Sequence, residues 1–182
     1  MTRQPVTDSP IGRRTVVVGS TCSGKSTLAA ELARRIDAPF VELDALFWLP
    51  EWTQSDDDPA VAGNYRRVSM ELLWPRTATM VWLDYPLPLI LRRVVARSWR
   101  RWRTDELLWG TNHERFWRHL KLWSREDSLI AWALTTHHSR RRRFSAHMRD
   151  PRWSQASWIR LRSPRETERW LADTPRSVSR AR

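Results

Sequence analysis

Cysteine, lysine and glycine are scarce in this 182-residue chain, and it has no long apolar run. The single cysteine, Cys22, excludes an internal disulfide framework and any cysteine-rich zinc module. Apolar stretches such as Thr15 to Val18 and Met80 to Leu83 fall far short of a bilayer span. Met1 to Gly12 carries no apolar signal-peptide core, so a cytoplasmic protein with no membrane partner is expected. No internal repeat and no second-domain linker is found. The length suits one domain able to bury a core. Residues 1–13 read as a flexible arm, 14–172 as the single domain and 173–182 as a flexible tail.

Lysine is nearly replaced by arginine. Of 32 basic residues only Lys25 and Lys121 are lysine, and the net charge of +12 is unevenly spread. Residues 1–91 carry a net −2, residues 92–143 a net +9 and residues 144–182 a net +5. The basic part suits phosphate, which a planar guanidinium grips with two parallel donors.

Thr15-Val16-Val17-Val18 is a β-branched run that predicts a strand buried on both faces. After Gly19 a helical pattern opens near Lys25, with Leu28, Leu32 and Ile36 on one face. Phe40 to Leu43 predicts a second strand, which makes a βαβ unit and so a parallel sheet. Thr79 to Leu83 predicts another strand, closed by Asp84 and Pro86. From Leu87 an amphipathic helix is expected, with Leu91, Val94, Val95, Ser98, Trp99 and Trp102 on its apolar face. A further helix is expected from Glu114 to about His138, followed by the Arg140–Arg143 run, read as a solvated basic stretch. Ser157 to Leu161 predicts the last strand. Ser163, Pro164 and Glu166 then predict a cap, a proline in the first turn and a capping-box glutamate.

The residues Gly19-Ser20-Thr21-Cys22-Ser23-Gly24-Lys25-Ser26-Thr27 match the phosphate-binding pattern GxxxxGK[ST]. The glycines let the backbone curl so that successive N–H groups face phosphate oxygens. The helix that begins there adds the positive end of its dipole. Lys25 brings a mobile charge to the β- and γ-phosphates, and the Ser26 hydroxyl suits Mg²⁺. At this chain's composition the pattern would arise by chance roughly 2 × 10⁻⁴ times, before the flanking strand and helix are required.

With these residues in view, the chain resembles the P-loop kinases related to adenylate kinase, including the adenylate-kinase-like and DNA topology-modulation proteins. The resemblance spans about Thr15 to Leu171. Beyond the loop it rests on Leu43-Asp44-Ala45-Leu46-Phe47-Trp48, Gly63-Asn64-Tyr65 and Val81-Trp82-Leu83-Asp84-Tyr85-Pro86. Arg103-Thr104, Glu106 to Trp109, Asn112 with Glu114, and Leu161 to Glu166 complete it. It implies a three-layer α/β/α P-loop NTPase fold, like that of the nucleoside-monophosphate kinases, with a parallel sheet ordered 2-3-1-4-5. It also implies ATP and Mg²⁺ as cofactors and a basic helical lid at about 92–143. Gly19 to Thr27 would hold the triphosphate. Asp44 would serve the acceptor or metal, and Arg97 and Arg101, with Arg93 and Arg103 beside them, the transferring phosphate. Arg162 would approach the adenine.

One departure stands out. The Walker B carboxylate that relatives carry just before the Gly-Asn-Tyr motif is missing, since Ala62 precedes Gly63. The 14 residues from 49 to 62 are too few for the usual helix and strand, so the third strand is expected to be truncated. Asp84 or Asp44 could stand in at the metal, with Ser26. The leading function is therefore an ATP-dependent kinase acting on a small molecule or nucleotide. The alternatives are an ATP binder impaired in catalysis and a nucleotide-dependent regulator that binds nucleic acid through its basic segment.

Overall fold

The computed structural model describes residues 11–12, 14–42, 69–108, 112–113 and 128–174. Its sheet has three parallel strands in the order β1-β2-β5. These are β1 (Thr15–Gly19), β2 (Thr79–Leu83) and β5 (Ser157–Leu161). Thr15 pairs with Thr79, and Thr79 pairs in turn with Ser157. Such pairings need crossovers: helix α1 (Lys25–Arg35) lies between β1 and β2, helices α2 (Leu87–Arg103) and α3 (Leu129–His147) lie between β2 and β5, and α4 (Pro164–Asp173) follows β5. Two short strands, β3 (Leu107–Leu108) and β4 (Asn112–His113), form a separate antiparallel pair. The α/β class and the parallel sheet read from the sequence are thus observed.

The middle strand is the core. Every residue of β2 is buried, as its unbroken apolar run requires when both neighbours are strands. Val81 and Leu83 join Leu28 and Leu32 of α1, Ile90 and Val94 of α2, and Leu161 in one cluster. Met80 packs with Trp74, Trp153 and Ala156 in a second cluster that also takes in Val16, Val18 and Trp158. Alternation of side chains along the strand feeds the two clusters. Arg35 at the end of α1 donates to the carbonyl oxygens of Leu171 and Thr174, fastening α1 to the end of α4.

Four expectations need correction. β1 is mostly half-buried, because β2 is its one partner among the described strands. Phe40, Val41 and Glu42 form no strand, and Phe40 and Val41 are 42% and 62% exposed. No described strand lies on the side of β1 away from β2 to pair with them. On α2 the buried stripe is Ile90, Val94 and Ser98, whereas Val95, Trp99 and Trp102 face outward. Arg140–Arg143 lie inside α3 and do not follow it. Residues 43–68, with Asp44, Ala62 and the expected third-strand stub, lie outside the described residues, as do 114–127.

Helix ends follow the local signals closely. Ser163 Oγ accepts from the N–H of Glu166 at 3.2 Å, a cap that contributes about 1 kcal/mol. The Glu166 carboxylate accepts from the N–H of Arg162 at 2.6 Å, one residue earlier than in the usual capping box. Ser128 caps α3 in the same manner, accepting from Ala131 at 3.2 Å. Among the described residues no helix is long and apolar enough to cross a membrane.

Candidate phosphate-binding site

β1 ends at Gly19, and the chain turns there because nothing larger fits. A Cβ at Gly19 would lie 2.8 Å from Ser23 Oγ and 2.9 Å from the carbonyl oxygen of Leu83. The turn then passes through Cys22 at φ 55° and Gly24 at φ 93°, both left-handed, before α1 starts at Lys25. Glycine adopts that conformation without a Cβ penalty, which explains the second glycine of the motif. The result is a loop wrapped over the N-terminal end of α1, whose first amides have no acceptor within the helix.

Three cationic or titratable side chains brace this loop from different elements. Lys25 folds back so that Nζ donates to Ser20 O at 3.0 Å. Arg93 of α2 donates to Ser23 O at 2.9 Å while its guanidinium lies 5.2 Å from the centre of the Tyr85 ring. His137 of α3 shares a 3.3 Å hydrogen bond between Nδ1 and Ser20 Oγ. Burial, and then the neighbouring His138, push the His137 imidazole below its ordinary 6.5, while Asp84 pulls it back. The ring at the loop is therefore neutral at pH 7. Inside the curl, Ser23 is 1% exposed and its Oγ has no hydrogen-bond partner among the described residues.

At the outer rim, Ser26 Oγ donates to Glu42 Oε1 at 2.6 Å. Sequence reasoning missed this carboxylate. The signal was its place after the apolar pair Phe40-Val41, two residues before Asp44.

Comparison of the chain with family models, curated proteins and solved structures finds no match.

Asp84 sits at the end of β2, with its side chain 2% exposed, and its carboxylate is already taken. Arg141 Nε lies 3.1 Å from both oxygens, and Arg160 donates to Oδ2 from Nε at 2.9 Å and from a terminal nitrogen at 2.5 Å. Arg160 in turn stacks 4.4 Å above the centre of the Trp82 ring. In this arrangement Asp84 is an ion-pair hub, with both oxygens facing guanidinium groups. Among the described residues no three His, Cys, Asp or Glu side chains converge as a metal cluster.

The other sequence candidates scatter. Gly19 to Thr27 come together in the loop, with Ser26 and Thr27 exposed at its rim. Arg97 and Arg101 lie one and two turns beyond Arg93, about 6 and 12 Å further along the α2 axis. Arg101 Nε is 3.4 Å from Glu106 Oε1, and Arg97 Nε is buried with no hydrogen bond among the described residues. The hydrogen bond from α2 to the loop comes from Arg93. Arg162 is exposed, and its backbone N–H donates to Glu166.

Proposed function

We propose that the chain has a P-loop NTPase fold, binds Mg·ATP at residues 19–27 and transfers its γ-phosphoryl group to a small acceptor. One observation carries this reading. The loop joins two left-handed residues, a lysine folded across it and an orphaned buried hydroxyl at the start of a helix. These are the features a triphosphate would satisfy: free amides, a mobile ammonium and a polar atom lacking a partner.

In this reading the Lys25 ammonium leaves Ser20 O for the β- and γ-phosphate oxygens, and the α1 amides hold the β-phosphate. Arg93 and His137 keep the loop in shape from the outside, so that little reorganisation accompanies binding. Arg97 and Arg101 keep the proposed role toward the transferring phosphate, whereas Arg93 braces the loop through Ser23 O. Asp44, just past Glu42 in the chain, keeps its proposed role toward the acceptor. Two hard oxygen donors, the Ser26 hydroxyl and the Glu42 carboxylate, fit a small divalent cation and would hold Mg²⁺. When bound, the ion supplies neutralisation of the phosphate charge. Glu42 is thereby the substitute for the carboxylate missing at Ala62, and Asp84 is not.

Calorimetric titration of Mg·ATP into the folded chain tests the reading, and absence of binding overturns it. A more specific result is expected for Glu42→Gln. Its affinity for Mg·ATP should fall about tenfold, while its affinity for ATP in EDTA stays unchanged. Equal Mg·ATP affinity in both proteins would remove Glu42 from the cation site. A second reading, binding without turnover, is favoured by the ion pairs that occupy Asp84. Saturable binding without ADP formation, across a panel of acceptors, would support it.

A further inference from the structure

We propose that the basic cavity between α3 and β5 is a second anion site, separate from the loop, that takes a small phosphomonoester. The cavity has a volume of about 470 Å³, within the usual range of small-molecule sites. Arg141, Arg142, Ser145 and Arg149 of α3 line one side, and Arg160 of β5 lines the other. The α3 residues recur at helical spacing, so one face of that helix presents three guanidinium groups and a hydroxyl.

The Arg140–Arg143 run is therefore not a uniform solvated stretch. Arg140 turns away, with its guanidinium 5.4 Å from the Trp132 ring centre, whereas Arg141 and Arg142 enter the cavity wall.

The charges there do not balance. Four arginines line the cavity and no described carboxylate does, while Asp84, outside the lining, bridges Arg141 and Arg160. Among the described residues, Arg142 and Arg149 have no acidic partner. Guanidinium groups gathered around a concave surface repel one another, and a dianionic phosphate relieves that repulsion while accepting paired donors. The Ser145 hydroxyl adds a neutral donor for an ester or sugar oxygen.

Position supports a small ligand. Asp84 and Arg160 stand at the carboxyl ends of β2 and β5, the edge of a parallel sheet where ligands bind. The same edge carries the loop: the Leu83 carbonyl lies against Gly19, and His137, which touches Ser20, precedes the cavity residue His138. The two anion sites are thus neighbours with separate donors, and the second does not depend on the ATP reading.

The test is a calorimetric titration of ribose 5-phosphate into the Lys25→Ala chain, with circular dichroism confirming that each variant is folded. Saturable binding should persist without Lys25. It should weaken about tenfold or more when Arg142→Ala and Arg149→Ala are added, because each removes a charge-assisted donor. Both arginines are exposed, so these changes should leave the thermal midpoint in place. Arg165→Ala, an exposed cation on α4, should leave binding unaltered. No binding to the folded Lys25→Ala chain overturns the proposal, as does binding insensitive to Arg142 and Arg149. A single-stranded oligonucleotide that binds far more tightly than ribose 5-phosphate, with a steep salt dependence, would also overturn it in favour of a nucleic-acid backbone.

Discussion

Lys25→Ala should abolish saturable binding of Mg·ATP, with an affinity loss of about 100-fold or more, and leave the chain folded. The ammonium makes charge-assisted hydrogen bonds to two phosphates in the proposed complex, each contributing about 1.5–3 kcal/mol. No neighbouring cation can replace it. Arg93 is engaged by Ser23 O and Tyr85, and the loop supplies only neutral amides besides. The 3.0 Å bond from Lys25 to Ser20 O contributes about 1 kcal/mol to stability, small beside the loss of binding. Lys25→Arg should not restore binding, since a planar fork cannot follow the path of a thin, flexible ammonium stem. Calorimetry with the wild-type chain as reference measures the difference. Undiminished binding by Lys25→Ala would mean that ATP is held elsewhere.

The second large effect concerns stability. Asp84→Ala should lower the unfolding free energy by about 3 kcal/mol, because it strips the shared carboxylate from Arg141 and Arg160. The half-buried Arg160, pressed against Trp82, bears most of that cost, whereas the more exposed Arg141 can turn to water. Asp84→Asn should recover part of the loss, since its amide oxygen still accepts one guanidinium hydrogen bond. Urea denaturation of the three proteins gives the comparison through the shift of the midpoint at constant slope. The same variants separate the hub from a metal ligand. A carboxylate kept for a cation would leave stability nearly unchanged when removed and would alter the Mg²⁺ dependence of ATP binding.

Where the deciding interactions are local, the sequence was readable. The start of α1 at Lys25 and the Ser163 cap rest on neighbours within a few residues, and the apolar runs of β2 and Ser157–Leu161 are marked by their own local composition. The contacts that give the site its shape join distant segments. Asp84 meets Arg141 and Arg160, and Ser20 meets His137, across spans that no pattern in the chain marks. Helix α2 shows the same limit differently. Its apolar residues span about half the circumference, and packing with Leu83 and Leu28 selected the Ile90 and Val94 edge of that span, leaving Val95, Trp99 and Trp102 exposed. The run Phe40–Glu42 had strand-like composition, but a strand exists only where another backbone is available to pair with it.

The pairing of Thr15 with Thr79, and of Thr79 with Ser157, also sets a timetable for synthesis. β1 emerges from the ribosome early and stays without its β2 partner until Leu83 has followed. The other edge of β2, the most apolar strand, waits for Leu161 near the far end of the chain. Parallel pairings across such distances form slowly, because loop closure must come before any contact rewards it. Between the synthesis of Leu83 and that of Leu161 the nascent chain therefore carries its stickiest segment as an open edge, the state in which chaperone capture or aggregation competes with folding.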